Sequence, residues 1–287
     1  MNIIQKYMSI YMFELERFLL TKKDVLKAVA YQSDEANTDR PLKELLKQLI
    51  ETEFNQLPND SAIEFLKINN EEYDILHLKD IIIKRVLLPE DITQEIKAII
   101  AATKNSVYTN PDICFELIIN NELFYEPVEL KSTKQNSIPG SSVQQINPNE
   151  WVIFIKHSNK IVDIATGQYL HAINTKMQFP DRSPRPQVSF DELKKWNVEK
   201  RLVNGDKLLF ATDSEEDIKK SLIKDWQRVL SQRWIDVLFN STSVKVNEPW
   251  FNNNIRKFII DFLEEYEKLN EQEKEHFKNK IRSLIIK

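Results

Sequence analysis

The stretch PDICFELIINNELFYEPVELK, residues 111–131, contains the pattern that decides the fold of this chain. Two runs rich in β-branched, aromatic and other apolar residues, ICFELII and FYEPVELK, lie on either side of the short polar segment Asn120-Asn121-Glu122. Strand-like runs that flank a short polar turn are typical of a β-hairpin. We therefore predict two antiparallel strands in this stretch.

Charged residues lie at the open end of the predicted hairpin. Side chains two apart in a strand share a face, so Glu129 and Lys131 point one way while Val128 and Leu130 point into the core. On the first strand, Asp112 lies on the face opposite the apolar residues that begin at Ile113. Antiparallel pairing brings the start of the first strand beside the end of the second. The sequence thus predicts that Asp112 meets Glu129 and Lys131.

Two carboxylates that converge on one point repel each other, and each raises the pKa of the other. A divalent cation resolves this conflict, and carboxylate oxygens with water and phosphate are the ligands that Mg²⁺ prefers. A neighbouring lysine can orient an attacking water and neutralise charge that develops on a phosphate. The three residues together therefore favour metal-assisted chemistry on a phosphate over a set of unrelated surface charges.

The motif Pro111-Asp112 followed by Glu129-Leu130-Lys131 resembles the PD-(D/E)XK signature of the restriction-endonuclease-like nuclease superfamily. The polar stretch STKQNSIPGSSVQQ and the apolar run WVIFIKH follow it in the order found in type II restriction enzymes, so the resemblance covers residues 106–170. It implies that Asp112 and Glu129 are the metal ligands, that Lys131 is the catalytic lysine, and that Mg²⁺ is the cofactor. Pro127 departs from a regular strand, because a proline there implies an edge or a bulge.

The remainder of the chain predicts one α/β domain, with a mixed central sheet flanked by helices. Amphipathic spacing indicates a mainly helical segment over residues 1–105, a catalytic α/β core over 106–210 and a helical segment over 211–287. The sequence Ser189-Phe190-Asp191-Glu192 has the form of a capping box and predicts a helix start. One core wrapped by helices accounts for this order more economically than two domains do.

Polar residues after the hairpin are candidate contacts to DNA. Gly140 permits a tight turn, and Ser141 or Ser142 can cap a short helix whose N-terminus binds phosphate. Arg182 and Arg185 lie between prolines. The arginine guanidinium can form two parallel hydrogen bonds with a guanine edge or with a phosphate group. A plain helix start and a surface loop with locally paired arginines are the alternatives. The predicted DNA-contacting set is Lys134, Gln135, Asn136, Ser141, Ser142, Gln144, Gln145, Arg182, Arg185 and Gln187.

Acids outside the hairpin are weaker candidates. Glu51 and Glu53 lie on a predicted helix upstream, where members of the superfamily add an acid to the metal site, although a solvated helix face is the simpler interpretation. Glu116 shares a strand face with Asp112, and a purely structural role is again the simpler interpretation.

Composition excludes several classes of function. Three glycines, Gly140, Gly167 and Gly205, are too few and too scattered for a glycine-rich phosphate loop. The single cysteine, Cys114, excludes a cysteine-based zinc site and a disulfide framework, which fits a reducing cytoplasm. The N-terminus lacks the pattern of a signal peptide. The net charge of −4 counts against a protein that simply coats nucleic acid, but it is compatible with a local basic cleft.

The resemblance implies a bacterial or archaeal type II restriction endonuclease that cuts both strands of DNA and leaves 5′-phosphate and 3′-hydroxyl ends. A palindromic site implies a homodimer, because the symmetry of the protein mirrors that of the DNA. A cognate DNA methyltransferase is the expected partner. Another nuclease of the superfamily, acting in repair or transposition, and a non-catalytic DNA-binding protein are the alternatives.

Overall fold

The structure is a computed structural model, and it describes residues 2–30, 39–104, 111–141, 146–157, 161–178, 185–211, 214–240, 243 and 250–285. Contacts between residues divide the chain into two compact units, Met1–Lys224 and Asp225–Lys287. The first unit is a mixture of helices and sheets, and the second is helical. The predicted α/β class with helical terminal segments is confirmed.

The largest sheet of the first unit has five strands in the order β3-β4-β5-β7-β8. β5 and β7 are parallel, and the other neighbouring pairs are antiparallel, so the sheet is mixed. Its strands are β3 (Ile82–Leu87), β4 (Ile113–Ile119), β5 (Glu122–Thr133), β7 (Trp151–His157) and β8 (Val162–Gln168). The predicted hairpin is therefore β4 and β5, and the predicted buried strand WVIFIKH is β7.

The turn of the hairpin is set by two asparagines. Ile119 pairs with Glu122, which leaves Asn120 and Asn121 as the two turn residues, with φ of 50° and 66°. Two consecutive positive φ values define the type I′ turn, whose twist matches that of the strands, and asparagine tolerates this conformation better than most residues. The turn fixes the register of the hairpin.

Pro127 does not introduce the bulge that its sequence position allowed. The β4–β5 register is regular from Ile119 to Ile113, and Pro127 lies opposite Cys114 within it. Pairing of β5 with β7 begins only at Val128. On the β7 side, Pro127 therefore lies just before that pairing begins, where its missing N–H breaks no bond of the β5–β7 ladder. Glu129 consequently lies on the strand face that regular alternation predicts.

Both faces of the central sheet are covered. The helices α1 (Ile3–Thr21) and α3 (Asp39–Glu53) share one buried cluster with β4, β5 and β7, in which Tyr7, Tyr11 and Phe115 are fully buried. On the other face, α4 (Gln94–Lys104) covers Cys114 with Ile96 and Ile100. The fully buried Cys114 is thus a core residue of a strand that is covered on both sides.

Residues 65–87 contain strands, although the prediction for residues 1–105 was mainly helical. A four-stranded sheet has the order β11-β12-β1-β2. In it, β1 pairs in parallel with β12, which lies much later in the sequence. Its strands are β1 (Phe65–Ile68), β2 (Glu71–Asp74), β11 (Arg201–Asn204) and β12 (Lys207–Phe210). The three predicted helices of this region do form, as α1 with α2 (Lys23–Ala30), α3 and α4.

A third sheet follows the hairpin. It has the order β6-β10-β9, with β6 (Ser137–Pro139), β9 (Ile173–Gln178) and β10 (Arg185–Ser189). The short helix α5 (Tyr169–Ala172) precedes β9, and α6 (Phe190–Lys200) follows β10. The side chain of Ser189 accepts a hydrogen bond from the amide of Glu192, which confirms the predicted helix start.

The predicted C-terminal helical segments each form two helices. The helix α7 (Ser214–Lys224) ends the first unit, and the second unit contains α8 (Trp226–Phe239), α9 (Trp250–Glu267) and α10 (Glu271–Leu284). Asn270 caps α10 in a reciprocal capping box with Glu273. Within the described residues, none of the helices is both long and apolar enough to cross a membrane.

Candidate active site

The two predicted acids meet at the open end of the hairpin. Ile113 pairs with Val128, so the next residues outward, Asp112 and Glu129, lie opposite each other. The carboxylate of Asp112 also accepts a hydrogen bond from the backbone amide of Leu130, with an O–N distance of 3.0 Å. Asp112 is thereby fixed against the strand segment that carries Glu129 and Lys131.

Lys131 and Glu129 form an ion pair within this corner. The Lys131 Nζ lies 2.5 Å from the Glu129 Oε1, and the two side chains are 16% and 12% exposed. Ser141, which follows β6, donates a hydrogen bond from its Oγ to the same Glu129 oxygen at 3.1 Å. The structure thus brings together all three residues of the predicted catalytic set, and it adds Ser141.

A second lysine, which the sequence analysis did not identify, reaches Asp112. The Nζ of Lys43 in α3 lies 2.9 Å from the Asp112 Oδ1, and the Lys43 side chain is 11% exposed. Lys43 lies on the buried stripe of α3 with Leu46 and Ile50, at spacings of three and four. A lysine on an apolar helix face requires a partner of opposite charge, because burial of an unpaired charge is costly. The place of Lys43 on the apolar face of α3 is therefore the sequence feature that could have identified it.

The environment shifts the titration of Glu129. Burial raises the pKa of the Glu129 carboxyl, the Lys131 ammonium opposes that shift, and the neighbouring Asp112 charge adds to it, so that the pKa is above its ordinary value. Burial lowers the pKa of Lys131, but the charge of Glu129, the Tyr169 hydroxyl, the hydrogen bond to Glu129 and the charge of Asp112 together outweigh this effect and raise the pKa. Lys131 is therefore charged at neutral pH, and Glu129 holds its proton more tightly than an exposed glutamate.

The position of Ser141 depends on a close approach at Gly140. The Gly140 amide donates to the Pro186 carbonyl at 2.8 Å, and the Ser141 amide donates to the Tyr169 hydroxyl at 2.9 Å. A Cβ atom on Gly140 would stand 2.6 Å from the Tyr169 hydroxyl oxygen and 2.7 Å from the Pro186 carbonyl oxygen. Gly140 is therefore needed because a side chain there would collide with Tyr169 and Pro186.

The upstream acids are engaged elsewhere. Glu51 accepts a hydrogen bond from the Val86 amide at 2.7 Å, and Glu53 pairs with Lys22. Glu51 therefore supports strand β3, and the metal role considered for these two acids has no support in these contacts. The α3 residue that reaches the hairpin end is Lys43, and Glu51 lies eight residues, about 12 Å, further along the helix.

Glu116 also has a structural role. Its buried carboxylate pairs with Arg85 at 2.8 Å and with Lys84 at 3.2 Å. Burial alone would raise the pKa of Glu116, but hydrogen bonds from Arg85 and Lys84 outweigh it and lower that pKa. These two cations satisfy the charge, so Glu116 holds β3 against β4.

The polar segment after β5 lies at the surface next to the site. Lys134, Gln135 and Asn136 are exposed. The Asn136 carbonyl accepts hydrogen bonds from the Phe190 amide and the Ser189 hydroxyl, and its side chain accepts one from Lys156. Residues 137–139 form strand β6 against β10, and the short helix expected after Ser141 or Ser142 falls on residues 142–145, which lie outside the described residues.

The pairing of β6 with β10 brings the two predicted DNA-contacting segments together. Pro139 pairs with Gln187, and the Gly140 amide bonds to Pro186, so the same register places Arg185 level with Ser141. Arg185 is exposed, while Gln187 is partly buried and accepts a hydrogen bond from Asn174. The predicted contacts Ser142, Gln144, Gln145 and Arg182 lie outside the described residues.

The described residues contain no group of three or more Asp, Glu, His or Cys side chains placed to hold a metal ion. The candidate donor set is therefore the pair Asp112 and Glu129, both of which are at present neutralised by lysines. In comparisons with known proteins, no family model, no curated protein and no solved structure matches the chain. The functional assignment consequently depends on the residues of this corner themselves.

Proposed function

We propose that this protein is a Mg²⁺-dependent nuclease that cuts double-stranded DNA at a specific sequence, as type II restriction endonucleases do. The observation that carries the proposal is the convergence of Asp112, Glu129 and Lys131 at one end of the β4–β5 hairpin. Three groups with these charges are what phosphodiester hydrolysis requires in one place: ligands for a cation and a fixed positive charge beside the phosphate.

The electrostatics of the corner fit a divalent cation. Asp112 and Glu129 contribute two negative charges, and Lys43 and Lys131 contribute two positive charges, so the four side chains are together neutral. Addition of Mg²⁺ would give the corner a net positive charge, which suits an anionic phosphodiester. With two protein carboxylates, the remaining ligands would be water and phosphate oxygens, as is common for Mg²⁺.

Each of the four charged residues would have its own role in the reaction. Asp112 and Glu129 would hold Mg²⁺, which supplies Lewis acidity at the phosphate. Lys131, whose ammonium is held rigidly by Glu129, orients the attacking water and stabilises the charge that develops on the phosphate. Lys43, fixed by Asp112 on the other side, offers a second cation toward the substrate.

The surface beside the corner supports DNA binding. The exposed residues Lys134, Gln135 and Asn136 follow directly on the catalytic strand, and Arg185 lies level with Ser141, which bonds to Glu129. Cationic and amide side chains of this kind bind phosphates and read base edges. We assign the recognition of sequence to this β6–β10 surface.

The proposal includes a homodimer. Among the described residues of the second unit only Leu230 is buried, whereas Phe239, Phe258 and Leu284 are 81%, 63% and 66% exposed. Apolar side chains exposed on a small helical unit favour an interface with another surface. A second copy of the chain would also supply the second active site that a double-strand cut needs. Sedimentation equilibrium of the wild type and of Phe258→Glu tests this part, since a dimer through these helices should dissociate in the variant.

A digest tests the activity. The purified protein is incubated with supercoiled plasmid and with a long linear DNA in Mg²⁺, in EDTA, and in Mg²⁺ with Asp112→Asn in place of the wild type. We expect discrete fragments in Mg²⁺ with the wild type alone, with ends that a DNA ligase rejoins without prior phosphorylation. A smear would indicate a nuclease without sequence specificity, and intact DNA in every lane would contradict the nuclease proposal and favour a DNA-binding protein.

In the cell, the activity would require a cognate DNA methyltransferase to protect the host genome, and a bacterial or archaeal cytoplasm is the compartment that we propose. Methylation of the plasmid at the mapped site should then prevent cleavage, whereas methylation elsewhere should not.

A further inference from the structure

The Glu129 carboxylate receives two hydrogen bonds, and both fall on the same oxygen. The Lys131 Nζ donates to Oε1 at 2.5 Å, and the Ser141 Oγ donates to Oε1 at 3.1 Å. Each carboxylate oxygen offers about two lone-pair positions, so two donors occupy those of Oε1. Within the described residues, no hydrogen bond reaches Oε2. A further partner of this carboxylate, such as a cation, therefore meets Oε2.

The two donors differ in how firmly the chain holds them. The Lys131 ammonium stands at the end of a flexible four-carbon stem, so its bond alone leaves the carboxylate able to turn. The Ser141 hydroxyl is attached directly to its Cβ, so the backbone and one staggered rotamer determine its position. A second donor from a separate segment of the chain fixes the plane of the carboxylate.

The backbone at Ser141 is itself held on both sides. Its amide donates to the Tyr169 hydroxyl at 2.9 Å, and the preceding amide, of Gly140, donates to the Pro186 carbonyl at 2.8 Å. Tyr169 is 2% exposed at the beginning of α5. A buried tyrosine ring does not shift without disturbing its neighbours, because protein interiors are close-packed. Ser141 is therefore a donor with a fixed position.

These contacts connect a buried aromatic residue to one of the two proposed metal ligands. The hydrogen bond from Ser141 to Tyr169 spans 28 residues of the sequence, and the bond from Ser141 to Glu129 spans 12. Asp112, the other proposed ligand, accepts its bond from the Leu130 amide. Each acid is thus oriented by a donor that the backbone holds in place.

We propose that Ser141, held by Tyr169, is a positioning residue that orients the Glu129 carboxylate so that its Oε2 meets the cation. The inference rests on the proposed function, because it says how one of the two metal ligands is aimed. Hydrogen bonds to a metal-binding carboxylate commonly set its orientation. In the proposed reaction, the Lys131 ammonium serves the water and the phosphate. The bond from Ser141 is then the one that keeps Glu129 in place.

Isothermal titration of the full-length protein with Ca²⁺ tests the proposal without DNA and without cleavage. Ser141→Ala removes the donor, and we expect it to weaken Ca²⁺ binding ~10-fold, the scale found for partners of metal ligands. Ser141→Thr keeps the hydroxyl and should bind within about twofold of the wild type, since the donor is the same. Ser61→Ala is the matched control, because it removes a serine that donates to Glu14 at 2.6 Å, outside the hairpin corner.

A second variant tests the part played by Tyr169. Tyr169→Phe keeps the ring and removes the oxygen that accepts from the Ser141 amide, so Ca²⁺ binding should weaken, although Ser141 retains its hydroxyl. Urea unfolding without Ca²⁺ is measured for every variant. A merely structural role would lower the unfolding midpoint and leave the Ca²⁺ affinity of the folded protein unchanged, whereas we expect Ser141→Ala to lower the affinity at a midpoint close to that of the wild type.

The outcomes separate this inference from the nuclease proposal. Equal Ca²⁺ affinity in the wild type and in Ser141→Ala, or weak binding that Ser141→Thr shares, would overturn the positioning role and leave the metal site standing. Unchanged binding in Tyr169→Phe would overturn the part assigned to Tyr169. Failure of the wild type itself to bind Ca²⁺ would contradict the metal site, and with it both proposals.

Discussion

Asp112 accepts a hydrogen bond from the backbone amide of Leu130, the residue between Glu129 and Lys131. The bond closes the open end of the β4–β5 hairpin, so the separation of the two acids depends on backbone geometry and not on flexible side chains. For the proposed metal site this means that the two acids are already organised before a cation or substrate arrives, which lowers the cost of binding.

The first prediction concerns the two carboxylates. Asp112→Asn and Glu129→Gln preserve the shape of each side chain and remove its charge, so each should reduce Mg²⁺-dependent cleavage on the order of 100-fold or more, the scale seen even for indirect partners of metal ligands. Cleavage rates are measured beside circular dichroism. Glu122→Gln, an exposed change at the other end of β5, is the control and should cut normally. Full activity in a folded Glu129→Gln protein would show that Glu129 is not a metal ligand.

The second prediction concerns Lys131. Lys131→Met should slow cleavage by ~100-fold through loss of one electrostatic stabiliser, without loss of metal affinity well above the pKa of Glu129. Isothermal titration with Ca²⁺ measures that affinity. A loss of metal binding as complete as that of Asp112→Asn would contradict the role given to Lys131.

The pH dependence of the same variant gives a third prediction. Burial and the Asp112 charge raise the pKa of Glu129, and Lys131 opposes them. A proton on Glu129 excludes the cation, so metal binding and cleavage should fall as the pH drops through this pKa. Without Lys131 the pKa of Glu129 rises further, and the acid limb of the cleavage profile should move to higher pH. An acid limb that stays in place would mean that another group controls it.

The fourth prediction concerns Lys43, which competes with a cation for Asp112. Lys43→Met removes a buried positive charge 2.9 Å from the Asp112 Oδ1, so Ca²⁺ should bind more tightly, on the order of tenfold, which corresponds to about 1.4 kcal/mol of repulsion removed. Cleavage should nevertheless slow, because the phosphate loses a cationic partner. Lys47→Met, one turn along α3 and paired with Asp91 at 3.1 Å, is the matched control. Weaker Ca²⁺ binding in Lys43→Met would show that Lys43 supports the metal site.

The fifth prediction concerns recognition. Once the cleavage site has been mapped, Arg182→Ala and Arg185→Ala are each titrated against the cognate duplex and single-substituted duplexes at two salt concentrations. Loss of a base-reading arginine should weaken binding to the cognate site by about 1–3 kcal/mol and relax discrimination at one base position. We expect this outcome for Arg185 or for Arg182. Equal weakening on every duplex, with a flatter salt dependence, would mean that both contact phosphate and that Gln144 and Gln145 are the better candidates for readers.

The alternation of residues 111–131 was sufficient to predict the hairpin, the face that carries each charge, and the meeting of Asp112 with Glu129 and Lys131. This follows because a strand has a strict period of two and because a short turn fixes which residues lie opposite each other. Pro127 shows the limit of that reasoning. A proline is tolerated there only because β7 begins to pair with β5 at Val128, one residue later, and the sequence does not reveal where that pairing begins.

Only the tertiary structure decided which residues complete the corner. Lys43 lies 69 residues before Asp112, and Tyr169 reaches Ser141 across 28 residues, so no local period relates them. The pairing of β1 with β12 could not be predicted for the same reason. Each strand has four residues, and its partner lies far away in the sequence. Local patterns specify a strand and its faces, whereas a buried charge finds its partner through packing of distant elements, and that packing depends on the whole chain at once.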